Sequence, residues 1–355
     1  MTDIDVIGFG ALNVDRLIKV DNLQSKDTEL VAREENFTPG GSAANSIYAL
    51  GKLGLCTAYM GALGNDSLGS LMINSFKEVK VNQDWIVIKD SENISTGEAL
   101  CLIDDTGRRL IILRSGANRQ YCWLDAEFAL HSLIPRSRLL HLTSFADDEQ
   151  LDVQNNLVKQ IHDSLLVTCV PGAPYVKRGR LRIWPILERC DYVFFNREEI
   201  TGLMEYSKDD YLKAATSFIY HFPRCRAVVI TLGQGKTEKI EDNESRQLKF
   251  PFIDTISPKN GDHISSFVVE KDGNSHKVLS NDLYGKVQDT TGAGDAYTAG
   301  FIFGILTGQT IPLCARMGYI VAQYSILSVG ARNGLPERMQ LQHKLEEWPA
   351  NLDIT

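Results

Sequence analysis

The sequence predicts an α/β fold, a central mostly parallel sheet with helices on both faces, together with a small antiparallel β lid. Three observations carry this reading. Short apolar runs recur with helix-patterned segments between them, the alternation expected of parallel strands and crossover helices. Most of those runs are almost continuously apolar, as strands covered on both faces are. Two stretches, 16–38 and 97–114, break the rhythm with strand-like patterns and no helical stripe.

From the amino end, residues 5–8 form the first short apolar strand. Ser42 stands where a helix cap belongs, ahead of Ala44, Ile47, Ala49, Leu50 and Leu53 on roughly one side, and Gly54 is placed to end that helix. Residues 56–63 follow as a strand, and Asp66 precedes a helix with Leu68, Leu71, Met72 and Phe76 at helical spacing. Further strands fit 138–142, 165–170, 191–195 and 227–231, and further helices fit 148–163, 208–220, 294–306 and 312–327. The 97–114 stretch reads as two strands, EALCLID and RRLIILR, around a DDTG turn. From 235 to 288 the chain turns polar, with weak strand patterns near 267–270 and 276–279, as in an elaborated peripheral connection; one helix and a tail follow Pro336.

At 355 residues the chain has room for one large α/β domain with an appendage, or for two domains. Its 43% hydrophobic and 23% charged composition excludes collagen-like, disordered and disulfide-scaffold classes. With 37 basic against 45 acidic residues the net charge is −8, which opposes attraction to phosphate backbones, so no nucleic-acid partner is predicted. Seven scattered cysteines without CxxC, and seven histidines without HxxxH or HExxH, predict reduced thiols and no structural zinc. Acidic residues stand where an export signal needs basic ones, and the most apolar long stretch, 296–306, falls far short of the ~20 residues that span a bilayer. A soluble cytoplasmic protein without a membrane partner is the expectation.

The chemistry concentrates in DTTGAGD, Asp289 to Asp295, followed by the apolar helix AYTAGFIFGIL. Gly292, Ala293 and Gly294 are small enough to let a backbone approach a ligand closely where a helix begins. Several N–H groups and the positive end of the helix dipole then converge on one spot, an anion site suited to phosphate. A fixed carboxylate beside it, Asp295, repels that phosphate unless it has a task. Taking the proton of a hydroxyl that attacks a γ-phosphorus is a task that fits; capping the helix is the alternative. A dinucleotide site at Gly8-Phe9-Gly10 is rejected, because Asn13 occupies the third glycine position and strand-like LIKV follows.

DTTGAGD resembles the signature of the ribokinase-like (PfkB) family of carbohydrate and nucleoside kinases, and other segments agree in the family's order. PGGSAANSIYALGKLG from Pro39 is similar to its GG-x-A-x-N element, and GALNVD from Gly10, GALGND from Gly61, Thr96-Gly97, SGAN from Ser115, NREE from Asn196, TLG from Thr231 and GARNGLP from Gly330 also match. The resemblance implies ATP-dependent phosphorylation of a sugar or nucleoside hydroxyl, with Asp295 as base and the backbone of Gly292, Ala293 and Gly294 stabilising the phosphoryl group. It implies that Asn13, Asp15, Gly40, Gly41 and Asn45 contact the substrate, that Asn196 and Glu199 organise Mg²⁺, that Thr231 and Gly233 lie near the nucleotide, and that Asp289 is near a monovalent cation such as K⁺. The kinase domain would then comprise 1–15, 39–96 and 115–355, and the lid 16–38 and 97–114.

The lid's apolar face also suits a homodimer contact. Arg33, Arg109 and Arg114 are its candidates for holding a phosphorylated sugar, whereas Leu100 with Leu102, or Leu110 with Ile112, are those for covering a nucleoside base. Three positions depart from the family pattern: Val170 replaces an Asp, Tyr319 a small polar residue near the adenine, and Lys236 the second Gly of TxGxxG. The competing reading is a sugar- or nucleotide-binding sensor of the same fold that has lost turnover.

Overall fold

The structure, a computed structural model, describes residues 3–23, 30–91, 93–104, 109–233, 263–280, 287–348 and 353–354. The amino-terminal part runs β1 (Ile4–Phe9), β2 (Asn13–Val20), β3 (Ala32–Pro39), α1 (Ser42–Lys52), β4 (Thr57–Gly64), α2 (Ser67–Glu78), β5 (Ile86–Lys89), β6 (Gly97–Asp104) and β7 (Arg109–Arg114). It continues through α3 (Trp123–Ser132), β8 (Ser137–Thr143), α4 (Asp148–Val158), β9 (Leu166–Val170), α5 (Gly172–Arg178), α6 (Trp184–Arg189), β10 (Tyr192–Asn196), α7 (Arg197–Met204), α8 (Tyr211–His221) and β11 (Ala227–Thr231). The rest is β12 (His263–Glu270), β13 (Ser275–Ser280), α9 (Ala293–Leu306), α10 (Ile311–Ser325), α11 (Arg338–Glu346) and β14 (Asp353–Ile354).

Among the described residues ten strands form the main sheet, in the order β14-β13-β12-β11-β10-β9-β8-β1-β4-β5. The seven from β11 to β5 are parallel, and β12, β13 and β14 add antiparallel at one edge. The weak strand patterns at 267–270 and 276–279 are thus β12 and β13, sheet strands in their own right, and Lys236 lies outside the described residues.

Two cores explain the continuously apolar strands. On β1, Val6 packs with α1, α2, α9 and α10, while Ile7 and Phe9 pack with α3, α4 and α6 on the other face. β10 repeats the split, with Val193 and Phe195 on one side and Tyr192 and Phe194 on the other. Because successive side chains point to opposite faces, a strand covered twice needs apolar residues at every position. Among the described residues no helix is long and apolar enough to cross a membrane, and the run at 296–306 is instead the buried body of α9.

β3, β2, β6 and β7 form the second sheet in that order. The expected small lid sheet is present, with one parallel pairing at its centre: β2 and β6 pair in parallel from Asn13–Gly97 to Val20–Asp104, whereas β3 and β7 pair antiparallel to them. The reason is topological, since β2 and β6 each carry the chain outward from the main domain and β3 and β7 each bring it back. The register also sorts the lid's faces. Thr38, Asp15, Ala99 and Leu113 form one cross-strand row and Asn36, Leu17, Cys101 and Ile111 the next on the same face, while Arg16, Phe37, Leu100 and Ile112 lie on the opposite one.

Candidate active site

All seven parallel strands end at one edge of the sheet, so the turns after β1, β4, β8, β9, β10 and β11 gather there, where open α/β sheets bind ligands. The loop from β3 into α1 closes over this edge. Gly40 N–H donates to Asn13 O at 2.9 Å, and Gly41 takes φ +87° with Ala11 O only 2.4 Å from where a Cβ would stand. Only glycine makes that turn without strain or collision.

Gly41, not Ser42, is therefore the residue flanking α1. Ser42 lies inside the first turn, where its hydroxyl donates 2.6 Å to Oδ1 of Asp295, and one turn on Asn45 Nδ2 donates 2.9 Å to Oδ2. Ser46 completes the grip by donating to the Asp295 main-chain oxygen at 3.1 Å. The packing of α1 against α9 makes these contacts across some 250 residues of chain. Asp295 is half-buried, and burial raises its pKa above the ordinary carboxylate value even though Ser42, Asn45 and Arg332 act to lower it.

Arg332 was not singled out from the sequence. Buried beneath the site, it donates Nε to Asn45 Oδ1 at 3.0 Å, one terminal nitrogen to Ser75 Oγ at 2.8 Å, and the other to Gly40 O at 3.1 Å. Its plane lies over the rings of Tyr48 and Phe76, 5.2 and 5.4 Å from the centroids. By occupying Asn45 Oδ1 it turns the amide nitrogen toward Asp295. Burial lowers the guanidinium pKa to about 10, still far above neutrality.

Asn118 plays the same part for the loop between β1 and β2. Its side chain accepts from Leu12 N at 2.8 Å and donates to Leu12 O and to Asn13 Oδ1, each at 2.9 Å. Asp15 packs against Gly40, where any Cβ would lie 2.3 Å from its Oδ1. Burial pushes the Asp15 pKa from 3.8 to about 7, with Arg332 opposing the rise and the charges of Asp295 and Asp289 adding to it. Ser42, Asn118 and Arg332 all lie in the quoted segments PGGSAAN, SGAN and GARNGLP. A hydroxyl, an amide and a cation in otherwise small-residue motifs were the available signal, but their partners are distant in sequence.

At the start of α9 the backbone is unusually open. Gly292 has φ +75°, and a Cβ there would stand 2.4 Å from that of Ala331; at Gly294 a Cβ would meet nothing within 4 Å. Ala293 N donates to Thr290 O and Ala296 N to Gly292 O, but the N–H groups of Gly292, Gly294 and Asp295 find no acceptor among the described residues. Asp289 braces this loop: Oδ1 accepts from Thr291 N and Oγ1, and Oδ2 from Gly330 N at 3.0 Å.

Farther along the edge, Asn196 and Glu199 cap α7 reciprocally, Asn196 Oδ1 accepting from Glu199 N at 2.8 Å and Glu199 Oε2 from Asn196 N at 2.9 Å. Asn196 pairs in register with Thr231 on β11, whose hydroxyl donates to Phe195 O, and Gly233 follows, with no described residue within 4 Å of where a Cβ would stand. No hydrogen bond among the described residues joins this group to the Asp295 cluster. Tyr319 is buried in α10, its hydroxyl accepting from Gln323 and its ring edge-on to Trp348. Asp66 caps α2 through Gly69 N and holds Thr96 by both N and Oγ1, each contact at 2.7 Å. Burial raises the Asp66 pKa, but the hydrogen bonds from Thr96 and Gly69 outweigh it and leave it lowered. This clamp sits where β6 leaves for the lid.

The model of the pfkB family of carbohydrate kinases matches residues 2–251 and 265–338. The chain belongs to that family. It is accordingly a kinase, and ATP-dependent phosphotransfer is its class of reaction. This pfkB member is 30% identical over 289 residues, 81% of its length and 98% of the relative's, to an uncharacterized sugar kinase of Archaeoglobus fulgidus. It is 21% identical over 350 residues to a nucleoside kinase of Methanocaldococcus jannaschii, with 98% of each chain covered. Its fold matches the structure of Arabidopsis thaliana ribokinase complexed with ribose and ATP, with a TM-score of 0.76 at 20% identity, over 98% of this chain and 99% of that one.

Proposed function

We propose that this kinase transfers the γ-phosphoryl group of ATP to a hydroxyl of a sugar or of a nucleoside's ribose, with Asp295 as general base and the 292–294 backbone as anion hole. The observation that supports this most is the pairing of amides at Gly292, Gly294 and Asp295, which find no acceptor among the described residues, with a half-buried carboxylate oriented on both oxygens. Amides left without acceptors at a helix start are the donors that a phosphoryl group in transit requires. Each Asp295 oxygen keeps a lone pair after receiving its one hydrogen bond, so the carboxylate remains able to take the acceptor's proton. Asn13, Asp15, Gly40, Gly41 and Asn45 bind the acceptor, with carboxylate and amide groups matched to vicinal hydroxyls.

When bound, ATP and Mg²⁺ supply the phosphoryl group and neutralise its charge. Asn196 and Glu199 fit the Mg²⁺ side, since burial raises the Glu199 pKa and a cation's hydration shell relieves that penalty. Thr231 and Gly233 would border the nucleotide, and Asp289 would border a K⁺ ion. The lid, 16–38 with 97–114, swings about the Asp66–Thr96 clamp to exclude water.

Gly294→Val tests the anion hole. The described residues leave space at that Cβ, so the fold accepts the side chain and the melting temperature stays near the parent's. The branched group instead occupies the space through which the phosphate reaches the loop's N–H groups, and kcat/KM for ATP falls by ~10²–10³, the scale of denying the phosphoryl group one such donor. Parent-like turnover in a coupled ATP-consumption assay would exclude the loop from phosphoryl contact.

We further propose a homodimer through the lid's outer face, where Leu110 and Ile112 are about half exposed on the edge strand. Sedimentation should give a dimer for the parent and a monomer for Ile112→Asp; a monomeric parent would refute the contact.

A further inference from the structure

Building on the phosphotransfer reading above, we propose that the acceptor is a nucleoside, its ribose at Asn13, Asp15 and Asn45 and its base against the apolar pleats of the lid's inner face. The lid register decides which face is inner. Asp15 packs on Gly40 and feels the charges of Asp295, Asp289 and Arg332, and Thr38 of the same row has its Cγ2 3.9 Å from where a Cβ on Gly330 would stand. The face bearing Asp15 therefore turns toward the catalytic carboxylate. Leu100, Leu102, Leu110 and Ile112, the sequence candidates for covering a base, lie on the opposite face with Arg16.

Five other residues take that place. Ala99 and Leu113 flank Asp15 in its own row, and Leu17, Cys101 and Ile111 form the next row of the same face. The two rows are two residues apart along the strands, roughly 6.6 Å, the scale on which a planar base projects beyond the pentose that carries it. Ile111 and Leu113 are 55% and 48% exposed, so apolar surface is open beside the sugar-binding carboxylate. A free sugar bears hydroxyls around its ring and offers only small C–H patches to that surface, whereas a base has a broad flat apolar face with polar edges.

The described cations of the lid are already engaged, which argues against a sugar phosphate. Arg33 pairs with Asp21, Lys19 with Glu34, and Arg114 with Glu98 on the outer face. The side chain of Arg109 lies outside the described residues.

The test is a panel of ATP-dependent turnover with ribose, glucose, fructose, adenosine, inosine, cytidine and uridine. At least one nucleoside should exceed every free sugar in kcat/KM by 100-fold or more. Ile111→Asn and Leu113→Asn, both at exposed positions, should each cut the nucleoside-to-ribose ratio at least tenfold, in line with the ~10–200-fold value of small apolar contacts in a binding pocket. Leu110→Asn, its side chain on the other face, should leave that ratio within twofold. A sugar preferred over all four nucleosides, or an unchanged ratio in both inner-face variants, overturns the inference and leaves phosphotransfer standing. Failure of every acceptor, sugar and nucleoside alike, overturns the phosphotransfer reading and this inference with it.

Discussion

Replacing Asp295 with asparagine is expected to lower kcat by at least ~10²–10⁴, the contribution of a positioned general base, while ATP binding stays close to the parent's. The amide nearly matches the carboxylate in shape and can still accept from Ser42, but it cannot take a proton. Stopped-flow or steady-state rates with a good acceptor decide the matter, and a variant within tenfold of the parent would remove the base from this position. The pH profile gives a second reading of the same site. Because burial raises the Asp295 pKa, the acid limb of kcat should lie above the ordinary carboxylate range. Asp15, pushed to about 7, should add a limb in the acceptor's KM: below that pH the group takes up a proton, loses accepting capacity, and KM rises. Asp15→Asn should abolish that limb. The same linkage sets the sign for stability. A folded pKa above the unfolded one means the native state holds the extra proton between about 4 and about 7, so the stabilisation from Asp15 is complete at acid pH and lost as pH rises through about 7.

Arg332→Met should destabilise the protein by about 3–5 kcal/mol, the scale of removing one partner from a buried charged network. Three acceptors, Asn45 Oδ1, Ser75 Oγ and Gly40 O, lose their donor at once, and two aromatic rings lose the cation above them. Lysine keeps the charge but not the fork, so Arg332→Lys should fall between parent and Met variant in melting temperature. A positioning role predicts more than lost stability. Arg332 lowers the pKa of both Asp295 and Asp15, so in a folded Met variant the acid limbs of kcat and of the acceptor KM should both move to higher pH. A lower melting temperature with unmoved limbs would reduce Arg332 to a purely structural brace.

How far the sequence reaches is clearest residue by residue. The strands at 227–231 and the helix at 148 onward were legible because burial on one or two faces imposes a short-range pattern on composition. β12 and β13 were legible only as weak strand patterns, since Ser265 and Ser266 in one and Ser275, His276 and Lys277 in the other interrupt the apolar runs. Ser42 was misread as a cap because a hydroxyl just before an apolar stripe has that local meaning, and only Gly41's left-handed backbone moves the helix start and frees the serine for Asp295. Asn196 and Glu199 show the reverse: their spacing fits both a reciprocal cap and a cation site, and the fold displays the cap.

The sequence by itself determined the α/β class, the run of small residues before Asp295, and the motifs that join the chain to its family, because each is written within a few turns of helix or one strand. Only the tertiary structure decided which side of the lid faces the carboxylate, that the lid's inner strands run parallel, and that Arg332 reaches Asn45 across 287 residues. Such facts depend on register, crossover and packing between distant segments. A local pattern constrains what a residue can do, and the three-dimensional neighbour settles what it does.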